Sequence, residues 1–219
     1  MAVLEGHMTK LEAVNDILWS IGELPVQSLS SGLGDAEIAE AVLDRISRQI
    51  QLQGWQVNTK RGVTLTINAS SQFALPINIL RVDTANRSAA LQTSTPRNSA
   101  HINAHMTRSQ DDTKWLMYDG DNNSETWSSL TSMTVDYVQY LEFANLTPAL
   151  QVYIWTAAAH RFQQGAMGSR VLTEYTKEDV FVAEAQAVQE DSMNEDLNII
   201  RDNHHVNSVA GRYNPNYGT

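Results

Sequence analysis

The 219-residue chain contains no cysteine. Disulfide bonds, thiolate zinc sites and cysteine nucleophiles are therefore excluded. The sequence also lacks a run of about 18 consecutive apolar residues, the length that a helix needs to cross a bilayer. No basic stretch followed by an apolar core stands near residue 1, so no secretory signal is predicted.

Positive charge is scarce as well. The chain carries 15 Lys and Arg residues against 25 Asp and Glu residues, a formal net charge of -10. A surface that grips nucleic acid needs clustered cations to neutralise phosphates, so tight binding of DNA or RNA is not expected. The hydrophobic content of 42% and the charged content of 18% are typical of a globular protein and not of a disordered one.

A short amphipathic helix is predicted near the start of the chain, over residues 11–21. Its apolar residues recur three or four positions apart and form one stripe: Leu11, Val14, Leu18 and Ile21. Gly22 suits the left-handed position that ends many helices. The polar face carries no catalytic pattern, so the helix is expected to serve by packing its stripe against another element.

A second helix is predicted over residues 36–53, with Asp35 as its N-cap and Gly54 at its C-terminal end. Trp55 is expected to fold back onto the last turn.

Beyond Trp55 the hydrophobic pattern alternates, which is typical of strands. Strands are predicted over residues 63–67, 77–83, 114–119, 125–127 and 133–143, the last of them covered on both faces. Residues 84–113 show little periodicity and are predicted to form a long loop outside the sheet.

Helices return in the last third of the chain. Thr147 is a predicted N-cap with Pro148 at the first helical position. The helix that follows is apolar on two sides, which is normal for the centre of a bundle. A longer and acidic helix is predicted from residue 171 to 203, with a break near Asp191, and residues 204–219 are expected to form an extended tail.

This order of elements predicts an α+β fold. Residues 1–62 and 145–203 are expected to form a mainly α-helical bundle built from both chain ends. Residues 63–144 would form an inserted antiparallel β-domain that carries the long loop 84–113. The tail 204–219 completes the predicted organisation.

The segment YDGDNNSE resembles the start of a calcium-binding loop, because Asp119, Asp121, Asn123 and Glu125 alternate along it. The sixth and twelfth loop positions hold Ser124 and Leu130 instead of the usual glycine and glutamate. The favoured interpretation is therefore a hairpin turn without metal.

Two other patterns could carry chemistry. His101 and His105 have the spacing of two metal ligands on one helix face, but they are not part of an H-E-x-x-H pattern and no helix is predicted there. Paired carboxylates for hydrolysis of a glycosidic bond are available among the acidic residues Asp119, Asp121, Glu125, Asp136 and Glu142. Neither pattern is specific, and no cofactor-binding or metal-binding residue is assigned.

Several segments, in this order along residues 11–203, resemble a known family. The most specific are AVNDILWSIGELPV, RQIQLQGW and AAHRFQQGAMGS. They are similar to the tail tubular protein A family, the head-to-tail adaptor or gatekeeper of short-tailed bacteriophages (podoviruses, including autographivirus-like phages).

The resemblance implies a structural virion protein and not an enzyme. It would be assembled in the host cytoplasm as a dodecameric ring between two partners, the portal protein and the nozzle (tail tubular protein B). The genomic DNA would pass through the ring during ejection without specific binding. The alternative from another class is a tail-associated glycan hydrolase that uses two of the carboxylates named above.

Two sets of site residues follow from the ring hypothesis. The acidic helix offers candidates for lining the channel: Glu174, Glu178, Glu184 and Glu190. The tail offers interface candidates, because aromatic residues and arginine are enriched at protein interfaces. These candidates are Arg212, Tyr213 and Tyr217.

Overall fold

In the computed structural model, the part of the chain that is described below folds into four α-helices and six β-strands. The structure describes residues 6–30, 32, 34–84, 103–109, 113–128, 130–168 and 170–194, and these are the described residues below. The helices are α1 (Lys10–Trp19), α2 (Gly34–Gln51), α3 (Pro148–Ala166) and α4 (Arg170–Asn194). The strands are β1 (Thr59–Thr66), β2 (Ala74–Leu75), β3 (Ile79–Thr84), β4 (Ala104–Arg108), β5 (Trp115–Asp119) and β6 (Ser132–Gln139). The α+β class predicted from the sequence is correct.

Local sequence signals explain the ends of α1. The Thr9 hydroxyl accepts a hydrogen bond from the backbone N–H of Glu12, whose carboxylate accepts one from the backbone N–H of Thr9. This reciprocal capping box satisfies two of the N–H groups that a helix start leaves free. At the other end Gly22 has a φ of +85°, the left-handed conformation expected from the sequence.

The predictions for α2 and α4 need correction, whereas the predicted start of α3 is confirmed. Asp35 lies within the first turn of α2, not at its N-cap, because α2 already begins at Gly34. Thr147 is the N-cap of α3, as predicted, although its hydroxyl makes no capping bond to that helix and instead bonds to Glu190 of α4, at 3.3 Å. The helix α4 continues through Asp191 without a break, because this side chain finds its hydrogen bond on another segment and does not compete for the backbone of α4.

All four helices contribute to one hydrophobic core. Ile17 in α1, Leu43 in α2 and Ile154 in α3 are fully buried in this core. Helix α4 contributes the buried residues Ala183 and Ala187. Helix α3 packs against each of the other three helices, so it is the central helix. Trp55 folds back on α2 as predicted, and its indole N–H donates to the carbonyl of Ile50 at 2.9 Å.

The strands form two antiparallel three-stranded sheets. Their orders are β1-β6-β3 and β2-β5-β4. Residues of both sheets share a second hydrophobic core that includes Phe73, Met117, Trp127, Met133 and Val135. No residue of the central strand β6 is exposed, in agreement with the prediction that it is covered on both faces.

Three sequence predictions about the strands need correction. Part of the predicted loop 84–113 is strand β4, which pairs with β5, while residues 85–102 and 110–112 lie outside the described residues. Residues 125–127 form no strand, since the turn after β5 closes with a single bridge between Asp119 and Ser124. Strand β6 ends at Gln139 and not at residue 143, because the backbone of Leu141 pairs with the side chain of Gln51 instead of with another strand.

That last contact belongs to a recurring device, a side-chain amide that binds both backbone groups of one distant residue. Asn15 pairs with Val26 in this way, Gln51 pairs with Leu141, and Gln151 pairs with Met8. Each amide satisfies an N–H and a carbonyl that no helix or strand uses. The three pairs therefore attach irregular segments to α1, α2 and α3.

Candidate assembly surface

Helix α4 has two apolar faces, of which only one is used within the chain. Its inner face packs on the helical core through Ala183 and Ala187. On the opposite side lie Phe181, Ala185 and Val188, which share a face because they are spaced by four and three residues. Phe181 is 70% exposed and Val188 is 49% exposed. Large apolar side chains clustered on an exposed helix face are typical of an interaction surface.

The C-terminal part of α4 is fixed to the rest of the chain by two consecutive carboxylates. Glu190 accepts a hydrogen bond from the backbone N–H of Ala149 in the first turn of α3, at 3.2 Å. Asp191 accepts one from the backbone N–H of Gln56, at 2.8 Å. A negative charge at a helix N-terminus also interacts favourably with the helix dipole. These contacts hold the outer face of α4 in a defined orientation.

The outer face of α2 is also partly apolar, and it carries positive charge. Ile38 is 55% exposed, and Leu52, directly after the helix, is 46% exposed. Between them lie Ala41, Arg45 and Arg48, all exposed and all on the same side of the helix as Ile38 and Leu52. The Arg48 guanidinium lies 6.0 Å from the ring centroid of Tyr140, a cation–π distance.

The structure separates the four predicted channel-lining residues into two pairs. Glu174 and Glu178 are exposed on the outer side of α4. Glu184 is half-buried beside Tyr153, and burial, followed by this carboxylate, raises the pKa of the Tyr153 hydroxyl above its ordinary value. Glu190 is half-buried and caps α3. Only the first pair presents its carboxylates to the surroundings.

The predicted interface residues Arg212, Tyr213 and Tyr217 lie outside the described residues. The outer faces of α2 and α4 were not predicted from the sequence. A signal for them does exist, namely apolar residues such as Phe181 and Val188 on the opposite side of a helix from the stripe that packs on the core. That pattern is hard to separate from a fully buried helix until the neighbours of the helix are known.

The aspartate turn after β5 is held together by its own hydrogen bonds. The Asp119 carboxylate accepts bonds from the Asn122 side chain at 2.7 Å and from the backbone N–H groups of Asp121 and Asn122. Burial opposes the charged form, but these bonds outweigh it and hold the pKa of Asp119 below its ordinary value. Among the described residues, no cluster of three His, Asp or Glu side chains is placed to hold a metal ion.

Calcium is therefore expected to leave the thermal stability of the chain unchanged, because the oxygen atoms of Asp119 already bind N–H groups within the turn. Thermal melts with calcium and with a chelator measure this. The double variant Asp119→Asn with Asp121→Asn is the control. A melting temperature that rises with calcium in the wild type, but not in this variant, would contradict the interpretation as a simple turn.

The histidines do not form a metal site in the described part of the chain. His105 lies on strand β4 and not on a helix, and its ring packs at 4.9 Å on Tyr118. His101 lies outside the described residues. His160 of α3 is hydrogen-bonded to Thr176 and Gln164, and burial, then Lys177 and Arg161, lower its pKa.

The carboxylates that the sequence offers for glycan hydrolysis lie on different elements. Asp119 ends strand β5 in one sheet, and Asp121 and Glu125 follow in the turn. Asp136 lies within β6 of the other sheet, where it accepts a hydrogen bond from the backbone N–H of Gly62, and Glu142 follows that strand. The five residues are thus divided between the two sheets, and the carboxylate of Asp119 is already bonded within its own turn.

Comparison with protein families shows that the chain is a structural component of a bacteriophage tail. The match covers residues 11–197, and the chain belongs to the tail tubular protein family. No curated protein matches the chain. None of the helices in the described ranges is long and apolar enough to cross a membrane.

Proposed function

We propose that the protein is the head-to-tail adaptor of a short-tailed phage, a dodecameric ring that lies between the portal and the nozzle. The observation that carries the proposal is the family match over residues 11–197, which includes all four helices apart from the first residue of α1. The family is one of tail components, and its members are expected to assemble with other tail proteins. The motifs AVNDILWSIGELPV, RQIQLQGW and AAHRFQQGAMGS resemble those of the adaptor, tail tubular protein A, and favour it over other tail components.

The proposed organisation is a bundle of both chain ends, residues 1–62 and 145–203, with the β-domain 63–144 inserted. The two hydrophobic cores support it, because α1, α2, α3 and α4 share one core and the sheets enclose the other. In such an arrangement the helical part can form the ring while the β-domain reaches a neighbouring tail component. The inserted domain can then vary without disturbing ring contacts.

The acidic balance suits a channel through which the genome passes. A twelve-fold ring of chains with a net charge of -10 carries about 120 formal negative charges, which repel the phosphates of DNA. Of the four predicted channel-lining residues, only Glu174 and Glu178 have exposed carboxylates. The contact between copies that is inferred below pairs these two with arginines, so the repulsion of DNA is assigned to the net charge of the ring and not to single residues. The same charge opposes association of the subunits in low salt, so we expect the portal to act as the template that sets the number of copies.

Removal of residues 204–219 tests the attachment to the portal. The truncated chain is expected to fold, because both hydrophobic cores lie within residues 6–194. We expect it to bind portal rings more weakly than the full chain, because the tail supplies Arg212, Tyr213 and Tyr217. Co-sedimentation with purified portal rings, followed by electron microscopy, measures both binding and ring formation.

The matched control is the full-length chain with alanine at these three positions, which keeps the length of the tail. Weak binding by both variants assigns the effect to the three side chains. If the truncated chain co-sediments as well as the full chain and still completes rings, the tail has no role in docking. If the full-length chain does not bind portal rings at all, the adaptor function is wrong.

A further inference from the structure

We infer that the outer face of α4 in one copy binds the outer face of α2 in the next copy of the chain. This inference rests on the proposed function, because a ring supplies a neighbour on each side of every copy. The α4 face is defined by Glu174, Glu178 and Phe181, and the α2 face by Arg45, Arg48 and Leu52. The two faces differ from each other, as a head-to-tail ring contact requires.

The first argument is the position of the two faces. Helices α2 and α4 both pack on the central helix α3, and much more on α3 than on each other. They therefore flank α3, and their outer faces lie on different sides of the helical layer. A copy can then offer α4 to one neighbour and α2 to the other.

The second argument is direction. The C-terminal end of α2 lies near the start of α3, because the rings of Trp55 and Tyr153 meet at 6.2 Å. The C-terminal end of α4 lies there too, because Glu190 binds the first turn of α3. Helices α2 and α4 are thus parallel within a copy. Rotation to the next copy in a twelve-fold ring turns the chain by only about 30°, so α4 and the neighbouring α2 are also close to parallel.

The third argument is the order of charged and apolar residues along the parallel faces. From N-terminus to C-terminus, α4 presents two acids and then a phenylalanine, at residues 174, 178 and 181. The α2 face presents two arginines and then a leucine, at residues 45, 48 and 52. When the helices are aligned in parallel, each acid lies opposite an arginine and Phe181 lies opposite Leu52. The two faces are therefore complementary in both charge and hydrophobicity.

Charge reversal on one face at a time tests the contact. The α4 variant is Glu174→Lys with Glu178→Lys, and the α2 variant is Arg45→Glu with Arg48→Glu. Each variant alone places like charges across every contact, and we expect its self-association to fall at least about tenfold relative to the wild type. In an equimolar mixture every contact between unlike copies pairs opposite charges again. The mixture is expected to recover rings in which the two variants alternate, which a ring of even copy number permits.

Matched controls separate this contact from the effect of total charge. The variant Lys60→Glu with Lys114→Glu changes the net charge as the α2 variant does, and Glu23→Lys with Glu142→Lys changes it as the α4 variant does. All four of these control positions are exposed. Sedimentation velocity and electron microscopy are carried out on each chain with and without portal rings, and thermal melts confirm that each variant folds.

The possible outcomes test the α4–α2 contact separately from the ring hypothesis. Loss of association in both single-face variants, recovery in their mixture and no loss beyond the matched controls support the interface. If either single-face variant forms rings as readily as its control, or if the mixture does not recover, the α4–α2 contact is wrong while the ring hypothesis stands. If the wild-type chain forms no oligomer, alone or on portal rings, the proposed function fails and this interface fails with it.

Discussion

Replacing Ile154 with alanine is expected to lower the free energy of unfolding by about 2–5 kcal/mol, the usual cost of truncating a large buried aliphatic side chain. Ile154 is fully buried in α3, the helix that all other helices contact. The loss combines the hydrophobic transfer energy of the removed atoms with the energy of the cavity that they leave. Denaturant titration of the two proteins measures the difference.

The same helix offers a matched control two residues away. Val152 is also an aliphatic residue of α3, but it is 36% exposed. Val152→Ala should therefore change the free energy of unfolding far less than Ile154→Ala does. If the two substitutions had equal effects, the assignment of Ile154 to the buried face of α3 and of Val152 to its exposed face would be wrong.

The second large effect is expected from Gln151→Leu, which keeps a buried side chain of similar size but removes its hydrogen bonds. The Gln151 amide donates to the carbonyls of Phe143 at 2.8 Å and Met8 at 3.2 Å, and it accepts from the N–H of Met8 at 3.0 Å. Leucine removes all three bonds. The N–H and the carbonyl of Met8 then lose their partner, whereas the Phe143 carbonyl keeps the bond from the Leu146 N–H at 3.3 Å. A buried polar group without a partner costs about 1–3 kcal/mol, so we expect a loss of about 2–4 kcal/mol, with solvent replacing part of the bonding at the half-buried Met8.

The exposed Gln49 provides the control, because Gln49→Leu makes the same chemical change on the surface of α2. Its effect should stay within about 0.5 kcal/mol. Amide hydrogen exchange adds a local test, since the N–H of Met8 should lose protection in Gln151→Leu more than amides in the sheets do. A Gln151→Leu protein as stable as the wild type would show that this amide does not hold the segment before α1.

Much of the secondary structure could be predicted from local sequence signals. Pro148 predicted the start of α3, Gly22 predicted the left-handed residue after α1, and the alternation in residues 63–67 predicted part of β1. These signals act within a few residues, through fixed φ angles and hydrogen bonds to nearby groups, so a single sequence contains them. The absence of cysteine and the acidic balance are likewise properties of the sequence alone, and they limit the chemistry that the chain can perform.

Other features depend on residues that are distant in the chain. The hydrophobic alternation of strand β4 is too weak to predict a strand, and β4 is defined by its pairing with β5. Strand β6 ends before Leu141 because the backbone of Leu141 is hydrogen-bonded to the side chain of Gln51. Glu190 has the same chemistry as Glu174, but one caps α3 and the other faces outward.

The outer stripe of α4 illustrates the same limit. Phe181 and Ala183 are both apolar and only two positions apart, so periodicity alone does not say which one enters the core. The packing of α4 on α3 buries Ala183 and leaves Phe181 at the surface. Burial is a property of the neighbours that folding brings together, and most of those neighbours lie far away in the sequence. Local signals therefore set boundaries such as the start of α3 at Pro148 and the left-handed Gly22 after α1. The packing of α3 against its neighbours decided which faces remain available for another copy.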